Sequence, residues 1–313
     1  TIFEQIVDFG HAPIFQDADT FPCIASIRKR SNLDKTSDSS SVLICSVPRE
    51  KLADINLTQY VQQEGFDIPW NSFTSQPWIL ENSSVDELIE KIKHIGVPLK
   101  EFAGSKPYWG ILTGANEVFI IDEDTKNKLV SEDRKSIEII KPFWRGQDVK
   151  RWNSGWNNTW MIFTRRGIDL DKYPAIKNYL TQHRSRIEPR PIDVDKSTWQ
   201  GRKNGSYKWY EIQDAVDYYE LFSQPKIIYK EIQFHPEYSY DDSGYLANNK
   251  VFIIPSSDLY LLAVLNSPLM WWHNWRYLPH MKDDALSPSG YLMGDLPIAP
   301  PDNKLRVEVE SIA

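Results

Sequence analysis

The chain has 313 residues, of which 41% are hydrophobic and 13% aromatic, which excludes a disordered polymer and fits one large or two ordinary globular domains. Its longest apolar stretch, residues 259–272, is interrupted by Asn266, Ser267 and Pro268, which excludes a membrane span. The sequence shows no signal peptide. We expect a fragment of a longer cytoplasmic protein that has no membrane partner.

The net charge of −7 is unevenly distributed along the chain. Residues 141–210 carry 15 Lys/Arg against 6 Asp/Glu, a local charge of +9, and the remaining residues carry 21 against 37, or −16. Because a DNA-binding domain needs a basic face and not a basic total, residues 141–210 predict a nucleic-acid surface. A solvated charged surface without a ligand is the alternative.

The first third of the chain is predicted to be a sheet followed by a helix. Apolar runs rich in branched residues predict strands at 6–9, 21–27 and 42–47, with a polar loop at 31–41. Cys23 and Cys45 fall in these runs, so we expect two buried free thiols. A capping box at 84–87 predicts a helix that ends at Gly96 and connects two folded units.

The rest of the chain mixes helices and strands, so the predicted fold class is α/β (mixed α+β). The loop at 108–117 has two glycines and a Thr/Asn pair, and its exposed N–H groups suit a phosphate or the close approach of a base. The predicted strands are 118–121, 159–164, 225–232 and 251–254, and the predicted helices are one opened by Pro174 and one at 259–275 that is interrupted at Pro268.

The chemistry of a methyltransferase is missing from the sequence. Methyl transfer to an amine needs a glycine-rich turn for the donor and a short Asn/Asp/Ser-Pro-Pro-aromatic loop, but the one Pro-Pro pair, 300–301, is followed by Asp302. A phosphate loop, a zinc helix and zinc-spaced cysteines are also missing. Two short acidic groups imitate a metal-dependent nuclease, although such matches arise by chance among 43 acidic residues. They are Asp122, Asp124 and Lys126, and Asp193, Asp195 and Lys196. We therefore predict no catalytic residue, no metal and no cofactor within this fragment.

The positive signal is a segment in which cations alternate with aromatic residues. Residues 141–152 pack four cations among three aromatics. Cations neutralise phosphates, Arg reads guanine through paired hydrogen bonds, and Asn or Gln reads adenine. The candidate cations are Arg145, Lys150, Arg151, Arg165, Arg166, Arg186, Arg190, Arg202, Lys203 and Lys208, and the candidate amides are Gln147, Asn157, Asn158, Gln200 and Asn204. A carbohydrate-binding or protein-binding module is the alternative.

Several motifs follow one another in a characteristic order. They are Gly-Ile-Leu-Thr-Gly-Ala-Asn-Glu-Val-Phe at 110–119, Lys-Pro-Phe at 141–143 with Arg-Gly-Gln-Asp-Val-Lys-Arg at 145–151, Trp-Tyr-Glu-Ile at 209–212, Pro-Lys-Ile-Ile-Tyr at 225–229 and Leu-Asn-Ser-Pro-Leu at 265–269. In this order they resemble the TaqI-like C-terminal specificity domain of adenine-specific DNA methyltransferases and fused type IIG restriction enzymes. The resemblance covers about residues 86–300.

The resemblance implies a division of labour. In this family a methyltransferase domain flips an adenine out of the duplex and methylates it, and the specificity domain reads bases in the groove. Carried over, Thr113, Gly114 and Asn116 lie near the DNA, and residues 145–151 contact it. The implied domains are 1–83, the end of a methyltransferase domain plus a loop, 84–105, a connector helix, and 106–313, the target recognition domain.

The implied function is therefore non-catalytic recognition of duplex DNA within a restriction-modification or phage-defence enzyme. The intact parent would bind S-adenosylmethionine upstream, methylate adenine and, in fused enzymes, carry an endonuclease. The upstream methyltransferase domain is the implied partner within the parent chain. A stand-alone specificity subunit that recruits a separate methyltransferase is the alternative.

Overall fold

The computed structural model describes residues 2–10, 12, 14–15, 20–29, 41–74, 78 and 80–312. The chain forms two compact units, Thr1–Gly96 with His273–Leu286 and Val97–Trp272 with Ser287–Ala313. The strands are β1 Ile2–Asp8, β2 Cys23–Arg28, β3 Ser41–Ser46, β4 Phe66–Pro69, β5 Val97–Pro98, β6 Tyr108–Trp109, β7 Ile120–Ile121, β8 Ile140–Trp144, β9 Trp160–Ile162, β10 Lys226–Lys230, β11 Tyr238–Asp241, β12 Leu246–Ala247, β13 Val251–Ile254 and β14 Pro297–Ile298.

The helices lie between and after these strands. They are α1 Leu57–Glu64, α2 Ser83–Ile95, α3 Leu99–Phe102, α4 Asn116–Phe119, α5 Glu123–Glu132, α6 Pro174–Gln182, α7 Arg184–Ile187, α8 Leu259–Leu265, α9 Pro268–Tyr277, α10 Gly290–Met293 and α11 Asn303–Glu310. The fold is therefore mixed α/β, as the sequence predicts. Within the described ranges, every helix is too short or too polar to span a bilayer.

The first unit contains a four-stranded sheet in the order β2-β1-β3-β4. β1 runs parallel to β3 and antiparallel to β2. Successive side chains of a strand point to opposite faces, so Ile6 packs with Ile44 on one face and Val7 with Cys45 on the other. The three strands predicted in this region are confirmed, and most of the predicted loop at 31–41 lies outside the described residues.

Two predictions for the first unit are corrected. The edge strand β2 exposes all six of its residues, so Cys23 is exposed while Cys45 is buried as expected. The N-cap of α2 is Asn82, whose side chain accepts the N–H of Val85 at 3.1 Å, and not the predicted capping box that begins at Ser84. The helix ends at Gly96, as predicted.

The second unit holds two four-stranded sheets, β11-β10-β13-β6 and β12-β8-β9-β7. The first is antiparallel throughout, and in the second only β12 and β8 are parallel. Lys226 and Asp241 face each other across β10 and β11 and form a buried ion pair at 2.7 Å. The indole N–H of Trp144 also donates to Asp241 at 3.2 Å, so this carboxylate ties β8 to β11.

The predicted strand at 118–121 is wrong in its first half. Residues Asn116–Phe119 form the one-turn helix α4, and β7 begins at Ile120. Val118 and Phe119 are fully buried, which explains an apolar run that resembles a strand. The apolar helix predicted at 259–275 divides into α8 and α9, and Pro268 opens the second helix.

Candidate nucleic-acid interface

The loop that joins β8 to β9, residues 145–159 and hereafter the hairpin loop, is organised around a buried carboxylate. Asp148 accepts the backbone N–H of Arg145 at 3.0 Å, its guanidinium at 3.3 Å and the side-chain amide of Asn157 at 2.7 Å. These donors come from both ends of the loop, so its conformation is set before any ligand binds. Arg145, a predicted DNA contact, is neutralised by Asp148 in this structure.

Arg151 and Trp152 are exposed in the middle of the hairpin loop. Trp152 has a φ of 68°, which is unusual for a bulky residue, and its N–H donates to the carbonyl of Tyr238 at 2.8 Å. Its own carbonyl accepts the hydroxyl of Ser239 at 3.1 Å. Arg151 donates to the carbonyl of Asn266 at 2.7 Å, and its guanidinium lies 5.3 Å from the centroid of the Trp152 ring. An exposed aromatic side chain on a strained, fixed backbone is a candidate base-stacking surface.

Gln147 and Lys150 are two exposed polar side chains of the hairpin loop that the sequence predicts as DNA contacts. Neither side chain has a hydrogen bond or ion pair within the described part of the chain. Among the other predicted amides, Asn158 and Gln200 are equally exposed and unbonded among described residues. Asn157 is bound to Asp148, and Asn204 donates to the carbonyl of Arg190 at 2.8 Å.

A second cluster surrounds the buried guanidinium of Arg202, and we call it the Arg202 junction. The side chain donates hydrogen bonds to five backbone carbonyls from three separate segments of chain. The acceptors are Thr113 at 2.9 Å, Ile187 at 2.7 Å, Lys208 at 3.4 Å, Trp209 at 2.9 Å and Glu211 at 2.7 Å. Arg202 was expected on the DNA surface, but it is only 3% exposed and its donors are occupied. It joins loops and presents no charge to a ligand.

The charge of Arg202 survives its burial. Burial lowers the pKa of Arg202 to about 10, which is far above neutral pH, so the donors belong to a guanidinium cation. Arg166 lies beside the junction and donates to the carbonyls of Ile212 and Gln213, both at 2.6 Å, and Glu211 lies 3.7 Å away. Arg166, another predicted DNA contact, is therefore also occupied by the protein.

The predicted loop at Thr113–Asn116 lies against the Arg202 junction. The buried hydroxyl of Thr113 donates to the side-chain oxygen of Asn116 at 2.7 Å and accepts the N–H of Ala115 at 3.1 Å. Gly114 has a φ of +79°, and an added Cβ would lie 2.8 Å from Cδ of Arg202, so only glycine fits here. Gly114 and Asn116 are at the surface, whereas Thr113 holds the loop from beneath.

Carboxylates in and just beyond the basic segment hold its loops in place, and the sequence analysis does not assign them this role. Glu211 accepts the N–H groups of Gly167 and Lys208, both at 2.9 Å. Asp214 accepts the N–H of Leu112 at 3.1 Å, and burial raises the pKa of Asp214. With Asp148, these residues share a signal that the sequence does contain. Each is an isolated acidic residue in or beside a run of basic residues. A surface that binds only phosphate gains nothing from such an acid, so its presence indicates a structural role.

The remaining predicted cations differ in what they contact. Arg165 is exposed, and its guanidinium lies 4.5 Å from the ring centroid of Tyr219. Arg190 donates to the carbonyl of Val194. Arg186, Lys203 and Lys208 have exposed side chains. The hairpin loop precedes β9 in the chain, and Arg165 follows it. The predicted residues therefore form two clusters, one at each end of this strand.

The two acidic groups that imitate a nuclease have local explanations. Asp122 accepts the N–H of Thr125 at 2.8 Å as the N-cap of α5. Asp195 accepts the N–H of Ser197 at 2.7 Å in a short turn. Lys126 pairs with Glu123 at 2.9 Å. Over the described residues, no group of three or more His, Cys, Asp and Glu side chains converges as a metal site would require.

Comparison with known proteins places this arrangement in a family. Residues 141–298 match the family described as the TaqI-like C-terminal specificity domain. The type II methyltransferase M.BstVI of Geobacillus stearothermophilus is 26% identical over 67% of this chain and 36% of its own. The type II methyltransferase M.PaeR7I of Pseudomonas aeruginosa is 26% identical over 61% of this chain and 31% of its own.

A solved structure shares the fold. The type IIL restriction-modification enzyme MmeI in complex with DNA superposes with a TM-score of 0.52 at 13% identity, covering 99% of this chain and 37% of that one. The chain thus spans about a third of the length of the curated relatives above. The family match covers half of the chain and includes the hairpin loop and Arg202, whereas Thr113 of the Arg202 junction precedes it. This chain belongs to the family of TaqI-like C-terminal specificity domains.

Proposed function

We propose that this chain recognises a target sequence in duplex DNA as the specificity part of a restriction-modification methyltransferase, and that it is not catalytic itself. One observation carries the proposal: exposed amides and cations that have no partner among the described residues stand on loops whose backbones are fixed from beneath by Asp148 and Arg202. Fixed loops suit sequence reading, because base contacts need side chains placed in advance.

The two clusters support different kinds of contact. Lys150 and Arg186 are exposed and have no ion pair with the described residues, so we assign them to phosphates. Gln147 offers an amide at the surface that can bond an adenine edge in two places, and Asn116 offers its NH2 group, because its side-chain oxygen accepts the hydroxyl of Thr113 at 2.7 Å. Trp152 offers a fixed aromatic face for stacking.

We infer that the parent protein is an adenine-specific methyltransferase that uses S-adenosylmethionine. The named relatives are methyltransferases, and the chain covers only about a third of their lengths. On this proposal residues 1–83 are the end of the methyltransferase domain, 84–105 a connector and 106–313 the target recognition domain. Labelled methyl groups should pass from S-adenosylmethionine to duplex DNA in the presence of the full parent protein. Methylation of cytosine in place of adenine would contradict the choice of base.

The exposed strand β2 suits a partner within the parent. Ile24 and Ile27 are both 51% exposed on this edge strand, although branched apolar residues usually lie inside. We propose that the methyltransferase part of the parent pairs with this edge and covers it. Backbone amides of β2 should exchange deuterium more slowly in the full parent protein than in this chain, and equal exchange would contradict this assignment.

DNA binding is tested by the salt dependence of affinity. Fluorescence anisotropy of a labelled mixed-sequence duplex should report binding at about 50 mM salt that weakens steeply by about 200 mM, because each neutralised phosphate releases counterions. Lys150→Ala and Arg186→Ala should each reduce the slope of log affinity against log salt by about 0.9. Lys177→Ala is the matched control, because Lys177 is exposed but pairs with Asp171 at 2.6 Å. An equal effect of all three variants would contradict the assignment.

Sequence recognition needs a separate experiment. Duplexes that bind should be recovered from a random pool over several rounds and sequenced. The proposal expects one enriched motif, and Gln147→Ala or Asn116→Ala should relax the preference at single positions of that motif. Recovery without enrichment would show non-specific binding and would contradict the recognition function.

A further inference from the structure

A cavity in the second unit is lined in part by residues that follow β9 in the chain, at the opposite end of that strand from the hairpin loop. Its volume is about 510 Å³, within the range of small-molecule sites. Lys141 and Arg165 supply cations to its lining, Phe163 and Tyr219 supply rings, and Glu138 supplies a carboxylate. Nothing in the proposed reading of duplex DNA explains why these groups meet in a concave site.

Two of the three cations that line the cavity, Lys141 and Arg165, lack an anionic partner among the described residues, whereas the third, Arg166, lies 3.7 Å from Glu211. Lys141 is half-buried on β8, and its ammonium has no hydrogen bond or ion pair with described residues. The positive charge of Lys141 has no partner among the described residues, so it is available to an anionic ligand in the cavity. The guanidinium of Arg165 lies over the ring of Tyr219, and its N–H donors have no acceptor among the described residues. The two side chains can therefore bind one anion together.

Planar groups form a row in the lining, Phe163, Tyr219 and Arg165, in which the two rings are tilted by 50° to each other. The ring centroids of Phe163 and Tyr219 are 5.8 Å apart, and the guanidinium of Arg165 lies over Tyr219 at 4.5 Å. A guanidinium plane stacked on an aromatic ring leaves its second face for another planar group, and nucleobases stack on Arg planes in this way. The row thus adds a place for a base beside the place for an anion.

The carboxylate is positioned as an acceptor at the same site. Glu138 accepts the hydroxyl of Tyr173 at 3.0 Å, which orients it without neutralising its charge. Burial raises the pKa of Tyr173, and the hydrogen bond to Glu138 acts in the same direction, so the phenol stays a donor at neutral pH. A fixed carboxylate suits the hydroxyl groups of a sugar and would repel a second phosphate.

We propose that this cavity binds a nucleoside monophosphate, with its phosphate on Lys141 and Arg165 and its base stacked on the row of planar groups. The phosphate and the base are shared by a free mononucleotide and by a nucleotide within a DNA strand, but only the free mononucleotide also brings sugar hydroxyl groups to Glu138. The second source rests on the proposed function, and the first does not. One charged phosphate matches Lys141 and Arg165, the two lining cations that have no ion pair with the described residues, and Glu138 adds one carboxylate to the lining.

Binding of adenosine 5′-monophosphate to the whole chain is measured by isothermal titration calorimetry at about 50 mM salt. The nucleotide should bind saturably and more tightly than inorganic phosphate or adenosine, because each of these lacks half of the contacts. Lys141→Met and Arg165→Gln should each weaken binding at least about tenfold. Lys196→Met is the control, because Lys196 is an exposed lysine outside the cavity. Circular dichroism establishes that each variant is folded.

The outcomes separate the site from the function. No saturable binding up to about 10 mM nucleotide, or equal losses in Lys141→Met and Lys196→Met, would overturn the site. Competition between a short DNA strand and the nucleotide would support the site and assign it to DNA, and binding without competition would support it as a site for a free nucleotide. Nucleotide binding by a chain that fails to bind duplex DNA would leave the site standing and refute the DNA-binding proposal.

Discussion

Replacing Arg202 with methionine should destabilise the second unit more than any change at an exposed cation. Methionine keeps much of the aliphatic stem but removes every donor of the guanidinium. Four of its five carbonyl acceptors lie within 2.9 Å, and each net hydrogen bond to a charged donor is worth about 1.5–3 kcal/mol. The desolvation of the cation offsets part of this sum, so we expect a loss of about 3–5 kcal/mol, the range for breaking a buried ionic contact.

The loss is measurable by urea unfolding followed through tryptophan fluorescence, since the chain has 12 Trp. For a unit of about 200 residues, 3–5 kcal/mol corresponds to a fall in Tm of about 6–20 °C. Arg202→Lys should recover less than half of it, because an ammonium cannot reach three segments as a planar fork does. Arg186→Met, at an exposed cation, should stay within about 0.5 kcal/mol.

A cost of less than about 1 kcal/mol for Arg202→Met, or an Arg202→Lys variant as stable as the unsubstituted chain, would refute the structural role of this guanidinium. Either result would mean that the carbonyls find other donors and that the fork geometry does not hold the junction. DNA affinity measured well below the melting temperature gives an independent readout. It should fall in Arg202→Met, because the loop at Gly114 loses its support.

Three further predictions concern other parts of the structure. Gly114→Ala should lower the free energy of unfolding by about 1–3 kcal/mol more than Gly167→Ala. Both glycines have nearly the same positive φ, +79° and +78°, but only at Gly114 would an added Cβ meet atoms at 2.8 Å. Equal costs of the two substitutions would mean that backbone strain alone explains the loss. Lys226→Met should lower stability by about 3–5 kcal/mol in thermal unfolding, because it leaves the buried carboxylate of Asp241 without its ion pair. The double variant Lys226→Met/Asp241→Leu should regain much of this loss. A double variant less stable than the single one would argue against the ion pair as the cause. Burial lowers the pKa of His273 below its unfolded value of 6.5, so the first unit should lose stability as the pH falls below about 6.5, and the same loss in His273→Phe would disprove this origin.

Local patterns predicted the elements whose order depends on near neighbours. The apolar runs gave β1, β3 and β13, and Pro174 opens α6 as its fixed φ suggests. Residues Val118 and Phe119 are predicted as strand but belong to the helix α4. Both are fully buried, and burial on all sides gives a short helix and a short strand the same apolar pattern. Periodicity carries no information that would separate them at this length.

Residue roles at the candidate site were harder to predict than its location. Arg202 and Lys150 are alike as cations in a basic segment, yet one is buried and the other is exposed. The difference arises from carbonyls such as that of Thr113, which lies 89 positions away from Arg202 in sequence. Composition reports the charge of a side chain and says nothing of the acceptors that the fold brings to it. The motif order located the domain, and the structure was needed to divide its cations.

That division sets a limit on how steeply DNA binding can depend on salt. Of the 15 cations in residues 141–210, all of them described, nine are engaged by carboxylates, carbonyls or a phenol. The six that remain are Lys141, Lys150, Arg165, Arg186, Lys196 and Lys203. If each neutralises one phosphate, the slope of log affinity against log salt is about −5, whereas all 15 would give about −13. A measured slope steeper than about −9 would mean either that engaged cations such as Arg145 leave their carboxylates on binding or that cations outside residues 141–210 also contact phosphates, and Arg145→Ala would distinguish the two by making the slope shallower only in the first case.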